Sequence, residues 1–448
     1  MPPGHRGGRF RHPGRSIGLG FAAAIAAGSL LLSLPVAQSE GSQTPLLDAV
    51  FTATSAVCVT GLIVVDTETY WSGFGQVVIL ILIQLGGLGM MTVATLLAIV
   101  FARRLGLRAR LLVQAETKAV TAADLRRVVR NIVVFSLVTE AAAAIALAAR
   151  FMIRYGDPLD QAVWSGVFHA VSAFNNAGFS LYADNLMRYV SDPWVNAVVA
   201  TAVIVGGLGF PVIFELARAW RRPRTWSVVT RITVVTSAGL LVLGTLILLA
   251  TESGNQATLG ALGGADQLQA AFFASTVART AGFNTVDVAA LSPESLFAMD
   301  VLMFIGGGSA GTAGGIKVTT FGLLAFVLWS EIRGEPEVVV GRRRVPASTQ
   351  RQAVTVALLG VGLVVSASFT LQALSPFSFD LVLFETISAF ATVGLSAGIT
   401  AQLPDAGQVI LVILMFIGRL GPLTLASALA MRDRHRPYRL PEERIIVG

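Results

Sequence analysis

The chain has 448 residues, 54% of them hydrophobic and only 13% charged, with a net charge of +7. That is about half the charge density of a soluble domain, and the mean hydropathy of +0.71 agrees with a surface that faces lipid rather than water. A single cysteine, Cys58, and four scattered histidines exclude an intramolecular disulfide framework and a Cys-rich or His-pair metal site.

Eight apolar stretches of the length that spans a bilayer follow one another, at 17–36, 77–101, 132–150, 194–216, 228–250, 296–329, 353–374 and 408–431. The first is read as a helix and not as a cleaved signal, because its apolar region is long and the repeat described below needs it. About 27 of the 33 basic residues fall in the N-terminal tail, in 103–130, 218–231 and 333–351, and in the C-terminal tail. The intervening loops hold about 15 of the 26 acids and few basic residues. Positive loops stay inside, so both termini and the three basic loops are expected on the cytoplasmic side. No aromatic residues interleave the basic runs, so the charge points to a lipid bilayer and not to nucleic acid.

Four segments align without gaps: FTATSAVCVTGL (51–62), FHAVSAFNNAGF (168–179), FFASTVARTAGF (272–283) and FETISAFATVGL (384–395). Each has a hydroxyl at the fifth place (Ser55, Ser172, Thr276, Ser388) and glycine at the eleventh (Gly61, Gly178, Gly282, Gly394). Each lies between two apolar stretches and is too short to cross, which is the character of a re-entrant loop buried in protein. The expected fold is an all-α membrane protein of four tandem helix–pore loop–helix repeats, with eight transmembrane helices and four re-entrant pore helices around a central pore. As one membrane domain it divides into a basic tail (1–16), repeats at 17–104, 128–222, 228–332 and 352–432, and a tail at 433–448.

The apolar first half of each segment, such as 51–57, reads as a pore helix starting near its phenylalanine. Its C-terminal end would present partial negative charge to the centre. The second halves are extended and glycine-bearing, so that carbonyls can line one axis and replace the hydration shell of a cation. The filter candidates are Val59, Thr60 and Gly61; Asn176, Ala177 and Gly178; Thr280, Ala281 and Gly282; Thr392, Val393 and Gly394. No acid occurs at these positions, which argues for a monovalent ion. Close helix packing is the rival reading of the glycines, but it does not require a fixed hydroxyl-to-glycine spacing.

The second helix of each repeat carries IQLGGLGMM (83–91), IVGGLGFP (204–211), FIGGGSAGTAGGIK (304–317) or FIGRLGPL (416–423). In repeats one and two this reads as helix packing. In repeat three, Gly306, Gly307, Gly308, Ser309, Ala310, Gly311, Thr312, Ala313, Gly314 and Gly315 include six glycines, each costing about 1 kcal/mol of helix stability. Such a run is expected to unwind beneath the filter and act as a gate. It lacks the spacing of a phosphate-binding loop.

Intramembrane charge is costly and marks function by default. Arg419 is expected to point to the axis as a barrier below the filter, with a tether to backbone carbonyls as its alternative. Lys317 is expected to pair with a carbonyl or an acid, and Arg279 to brace the third loop from behind. Glu385 and His169 share a repeat position read as the start of a pore helix, where Glu385 suits the positive helix end and His169 reads as a packed polar residue. Glu140 is left to a hydrogen bond with a neighbouring helix, and Cys58 reads as a small packing residue.

The segments TSAVCVTGL (54–62), SAFNNAGF (172–179), RTAGFNT (279–285), GGSAGTAGGIKV (307–318) and SAFATVGLSAG (388–398) resemble the Trk/Ktr/HKT superfamily of potassium transporters, and within it the KtrB type of membrane subunit. The resemblance runs from the first helix to about residue 431. It implies potassium uptake, a homodimer with one pore per protomer, and a cytosolic ring of RCK-type (KtrA-like) regulatory subunits that carry the nucleotide, which is not bound by this chain. It maps the family's filter glycines onto Gly61, Gly178, Gly282 and Gly394, its gating loop onto 306–315 and its pore arginine onto Arg419. It implies K+ as the transported ion and a bacterial inner-membrane location.

A sodium-permeable or sodium-coupled member of the superfamily is the alternative, since each repeat offers one filter glycine. An alternating-access secondary transporter fits less well, because the repeats are four and parallel rather than two and inverted. An enzyme is not expected, as no nucleophile–base set or paired acids stand out at membrane depth.

Overall fold

The computed structural model describes residues 13–39, 44–104, 122–341 and 343–431. Most of the N-terminal tail, residues 105–121 of the first basic loop, and the C-terminal tail lie outside the described residues. Among those described are fourteen α-helices and one short hairpin. In chain order they are α1 (Pro13–Leu32), α2 (Leu46–Val57), α3 (Gly73–Arg104), α4 (Ala122–Arg150), α5 (Leu159–Phe174), α6 (Pro193–Leu208), α7 (Phe210–Ala219), α8 (Val228–Glu252), α9 (Gly264–Val277), α10 (Pro293–Phe304), α11 (Val318–Ile332), α12 (Ala347–Leu374), α13 (Phe379–Ala391) and α14 (Asp405–Met431). Strands β1 (Val339–Val340) and β2 (Arg343–Arg344) pair antiparallel.

Four uninterrupted helices are long and apolar enough to cross a membrane among the described residues: Gly73–Thr95, Arg126–Tyr155, Val228–Glu252 and Ala347–Leu374. Their outward faces carry large exposed apolar side chains, such as Ile145 at 71% and Phe369 at 78% exposure. Such surfaces are at home in lipid and not in water. The helices α2, α5, α9 and α13 have 12, 16, 14 and 13 residues. At 1.5 Å per residue they reach about 18–24 Å, short of a hydrocarbon core of about 30 Å. They are deeply buried towards their C-terminal ends: every residue of α13 from Phe384 to Ala391 is enclosed.

Two stretches expected as single spans are broken. The stretch 194–216, read as a helix whose glycines merely permit packing, turns by 102° between α6 and α7. Gly209 at the corner has φ +92°, a conformation that favours glycine. Pro211 follows, which has no amide to continue the α6 ladder. The stretch 296–329 is interrupted between α10 and α11, where residues 305–317 form a buried loop closed by a bridge between Ile305 and Ile316.

The short helices also begin earlier than the repeat pattern suggested. Helix α13 starts at Phe379 and α5 at Leu159. Glu385 and His169 therefore sit within their helices and not at the N-termini. The acid in the first turn is instead Asp48, Asp160, Asp266 or Asp380, one in each short helix, where a negative charge suits the macrodipole.

Candidate functional site

Each short helix ends in the same backbone device. The residue two before the glycine has positive φ: Val59 at 55°, Asn176 at 59°, Thr280 at 78° and Thr392 at 50°. The glycine follows with positive φ: Gly61 at 95°, Gly178 at 73°, Gly282 at 71° and Gly394 at 94°. For β-branched Val59, Thr280 and Thr392 this is a costly conformation that persists only where the surroundings enforce it. Four copies of one conformation, three of them costly, point to a requirement on the direction of the carbonyls.

The four glycines close on one another. A Cβ added to Gly61 would lie 3.1 Å from Gly178 Cα, one on Gly178 2.9 Å from Gly282 Cα, one on Gly282 3.1 Å from Gly394 Cα, and one on Gly394 2.9 Å from Gly61 Cα. The succession returns to its start, so the four segments surround one point. On the side of the residues that follow the glycines, a cavity of ≈ 380 Å³ opens, bordered by all four glycines and by Asp66, Asp184 and Ser396.

Hydrogen bonds from behind hold the segments. The Gly61 N–H donates to Ser55 Oγ at 3.0 Å and the Gly394 N–H to Ser388 Oγ at 3.1 Å. Ser172 Oγ donates instead to Phe179 O at 2.7 Å, and Thr276 turns back to Phe272 O at 2.8 Å. The repeated hydroxyl thus has one role in repeats one and four and other roles in two and three. Glu140 accepts from Gln84 Nε2 and Asn175 Nδ2 at 3.1 Å each, tying α4 to α3 and to the end of α5. Glu385 accepts from the Thr400 hydroxyl. His169 is hydrogen bonded to Ser165 O at 2.7 Å and Ser180 Oγ at 2.9 Å. Cys58 is a buried free thiol.

The loop 305–317 lies on the opposite side of the glycines. Its Thr312 Oγ1 donates to Phe174 O at 3.3 Å and Asn176 Oδ1 at 3.2 Å, both from the segment that leads into Gly178. Its backbone is bonded to the broken helix of repeat two: Gly308 N to Gly207 O at 2.7 Å, Thr312 N to Gly206 O at 3.2 Å, and Phe210 N to Ala310 O at 3.4 Å. Arg419 is 1% exposed and donates through Nη1 to Thr312 O and through Nη2 to Gly86 O at 3.2 Å. Its guanidinium ties α14 to the loop and to α3. Lys317 Nζ donates to Ala313 O and to Gly314 O at 3.4 Å, carbonyls of its own loop. Both cations border a cavity of ≈ 170 Å³ together with Ser309, Gly311 and Gly315.

The filter candidates and the loop therefore meet in one region. Arg279 lies beside them: it is buried, its Nε has no partner, and it borders a small cavity with Asn176, Thr276 and Gly307. The sequence reading passed over Asp300, which is 5% exposed in α10 with Oδ1 unpartnered. A lone acid inside an apolar stretch was the signal that could have marked it.

Long apolar helices wrapped around short buried ones, with a cavity on either side of a four-part constriction, define a multi-pass membrane transport protein. The chain belongs to the TrkH family of cation transport proteins, whose family model matches residues 23–435. It is 40% identical over 449 residues to the Ktr system potassium uptake protein B of Vibrio alginolyticus, covering 100% of this chain and 98% of that one. It is 32% identical over 442 residues to the potassium/sodium uptake protein NtpJ of Enterococcus hirae, covering 97% of each. The crystal structure of the potassium transporter TrkH from Vibrio parahaemolyticus superposes with a TM-score of 0.70 at 18% identity, covering 94% of this chain and 86% of that one. The family is one of ion transporters and not of enzymes.

Proposed function

We propose that this chain takes up potassium across a bacterial inner membrane through a channel-like pore. The observation that carries the reading is the closed succession of Gly61, Gly178, Gly282 and Gly394, each with a left-handed residue two places before it. In this reading α2, α5, α9 and α13 are pore helices whose C-terminal ends favour a cation. The carbonyls of residues 59–61, 176–178, 280–282 and 392–394 replace its water. The cavity beyond the glycines is the outer vestibule, and both termini are cytoplasmic. The repeats occupy 17–104, 128–222, 228–332 and 352–432. Relatives named for Ktr potassium uptake over their full length support potassium as the ion.

Residues 306–315, with Lys317 and Arg419, form the gate. Arg419 acts in two ways: it tethers the loop through Thr312 O, and its charge opposes a cation leaving the filter. The chain works as a homodimer beneath which a ring of RCK-type subunits carries the nucleotide. A sodium-permeable or sodium-coupled variant is the second reading, favoured by the relative named for potassium/sodium uptake. Initial uptake of potassium, rubidium and sodium into liposomes holding the purified protein separates the two. Equal velocities for all three ions would remove the potassium filter from the proposal.

A further inference from the structure

A cavity of ≈ 530 Å³ lies between the turn Pro223–Thr225, the start of α8 and the β1–β2 hairpin. It has the size of a small-molecule site. Arg224, Arg231 and Arg343 line it, with Trp226 and Val228, and among the described residues no carboxylate lines it. Two described acids close to this region are engaged elsewhere. Glu215, which feels the Arg343 charge, accepts from Ser227 N at 2.5 Å, Ser227 Oγ at 2.7 Å and Thr230 Oγ1 at 2.5 Å. Glu337 pairs with Arg344 at 2.7 Å. Among the described residues none of the three lining arginines makes a salt bridge. Arg231 also donates to Pro223 O at 3.3 Å, and three guanidinium groups around one hollow give it a positive potential that favours an anion.

Two further features favour that anion. Val228 is the first residue of α8, so the positive end of a 25-residue helix borders the cavity. Trp226 Nε1 donates to Ala219 O at 2.9 Å, which fixes the indole as one wall. The neighbouring Trp220 is 65% exposed, with Arg221 4.7 Å above its ring, as residues at a membrane–water boundary are. Such a pair beside a basic loop fits headgroup depth on the side expected to be cytoplasmic. Planar guanidinium forks match phosphate oxygens in pairs.

We propose that this cavity binds a phosphate-bearing anion and that its occupancy is transmitted to the loop 305–317 through α7. The route is short. Glu215 of α7 holds the cavity wall at Ser227 and Thr230, and the first residue of the same helix, Phe210, donates to Ala310 O of the loop. The transmission rests on the gate reading above; the binding does not.

The test uses the full chain. Pyrophosphate is titrated into protein in neutral detergent, and binding of cardiolipin is counted by native mass spectrometry. Uptake is compared in phosphatidylcholine vesicles with and without cardiolipin. The double variant Arg224→Gln/Arg343→Gln is set beside Arg333→Gln, an exposed arginine paired outside the cavity with Glu335. Each lost arginine is expected to weaken binding roughly tenfold or more, with Arg333→Gln like the parent. Binding of cardiolipin alone assigns the site to a lipid headgroup, and binding of pyrophosphate to a soluble phosphate. A double variant that melts like the parent and binds both probes like the parent overturns the site. So does one that keeps both probes but no longer retains a soluble regulatory subunit, since the cavity is then a protein-docking surface. Binding lost with lipid-dependent uptake unchanged overturns the link through α7. Binding is read without ion flux, so the site stands or falls apart from the transport reading.

Discussion

Replacing Gly61 by serine tests the ring at one quarter. Gly61 has φ +95°, and a Cβ there would press on the Ala177 carbonyl oxygen and lie 3.1 Å from Gly178 Cα. A side chain in the left-handed region costs about 1–2 kcal/mol, and the Ala177 carbonyl must move as well. If all of that strain falls on the potassium-bound arrangement, the preference for potassium over sodium drops on the order of fivefold to thirtyfold, at 1.4 kcal/mol per factor of ten. The assay is competition of potassium and sodium against radioactive rubidium uptake in proteoliposomes, normalised to incorporated protein. Gly156→Ser is the control. Its φ is +74° and nothing lies within 4 Å of the added atom, so it carries the backbone strain far from the ring. A Gly61→Ser ratio within twofold of the parent, or an equal shift in Gly156→Ser, would refute the reasoning.

Arg419→Ala removes two charged hydrogen bonds to carbonyls, each worth about 1.5–3 kcal/mol. It should raise the initial uptake velocity at saturating potassium severalfold and leave selectivity nearly intact; a velocity at or below the parent's removes Arg419 from the gate. Gly209→Ala places a side chain at φ +92° with its Cβ 3.1 Å from Gly311 N. We expect lower thermal stability, by about 1–2 kcal/mol, together with altered uptake velocity, and an unchanged melt would show that the corner tolerates a side chain. Glu140→Ala removes the carboxylate that accepts from the Gln84 amide, while Asn175 keeps Gln84 Oε1 and Val171 O as acceptors; it should destabilise by about 1–3 kcal/mol, and Glu140→Gln, which keeps an acceptor, should cost less; equal melting temperatures would contradict this. Asp192, in the loop before α6, is raised by burial but more strongly lowered by bonds from Arg150, Tyr155 and the amides of Val195 and Trp194. Its folded pKa lies below the ordinary carboxylate value, so its stabilisation is present above that value and is lost as the pH falls through the lowered one. Asp192→Asn should flatten the acid side of the melting curve against pH, and an unchanged acid side would assign the loss to other groups.

The glycines of the four segments were legible because a four-copy pattern at fixed offsets survives any local ambiguity. The unwinding between α10 and α11 was legible because six glycines in ten residues defeat helix propensity on their own. The corner at Gly209 was not, since the same glycine pair reads as packing in repeat one, where Gly86 does seat its Cα against the Val57 carbonyl. What distinguishes repeat two is the following Phe210–Pro211 and the partner loop, and the partner loop is a tertiary fact. The starts of the short helices were missed because the repeat was anchored on phenylalanine. The acids Asp48, Asp160, Asp266 and Asp380 stand at unequal distances from their glycines and so escaped a gapless alignment. The partners of Glu140 lie 56 and 35 residues away, which no local pattern encodes.

The four glycines that meet at one point belong to one polypeptide. Identical subunits around an axis would change four side chains with every mutation, and whatever one quarter acquired the other three would share. Here each quarter is inherited separately, as the differing triplets Val59–Gly61, Asn176–Gly178, Thr280–Gly282 and Thr392–Gly394 already record. One repeat has lengthened a break into a loop, another has kinked, and a third has placed an arginine where its siblings have glycine. Natural variation can therefore explore this constriction in steps of one quarter, and a division of labour among the repeats is open to it that strict rotational symmetry forbids.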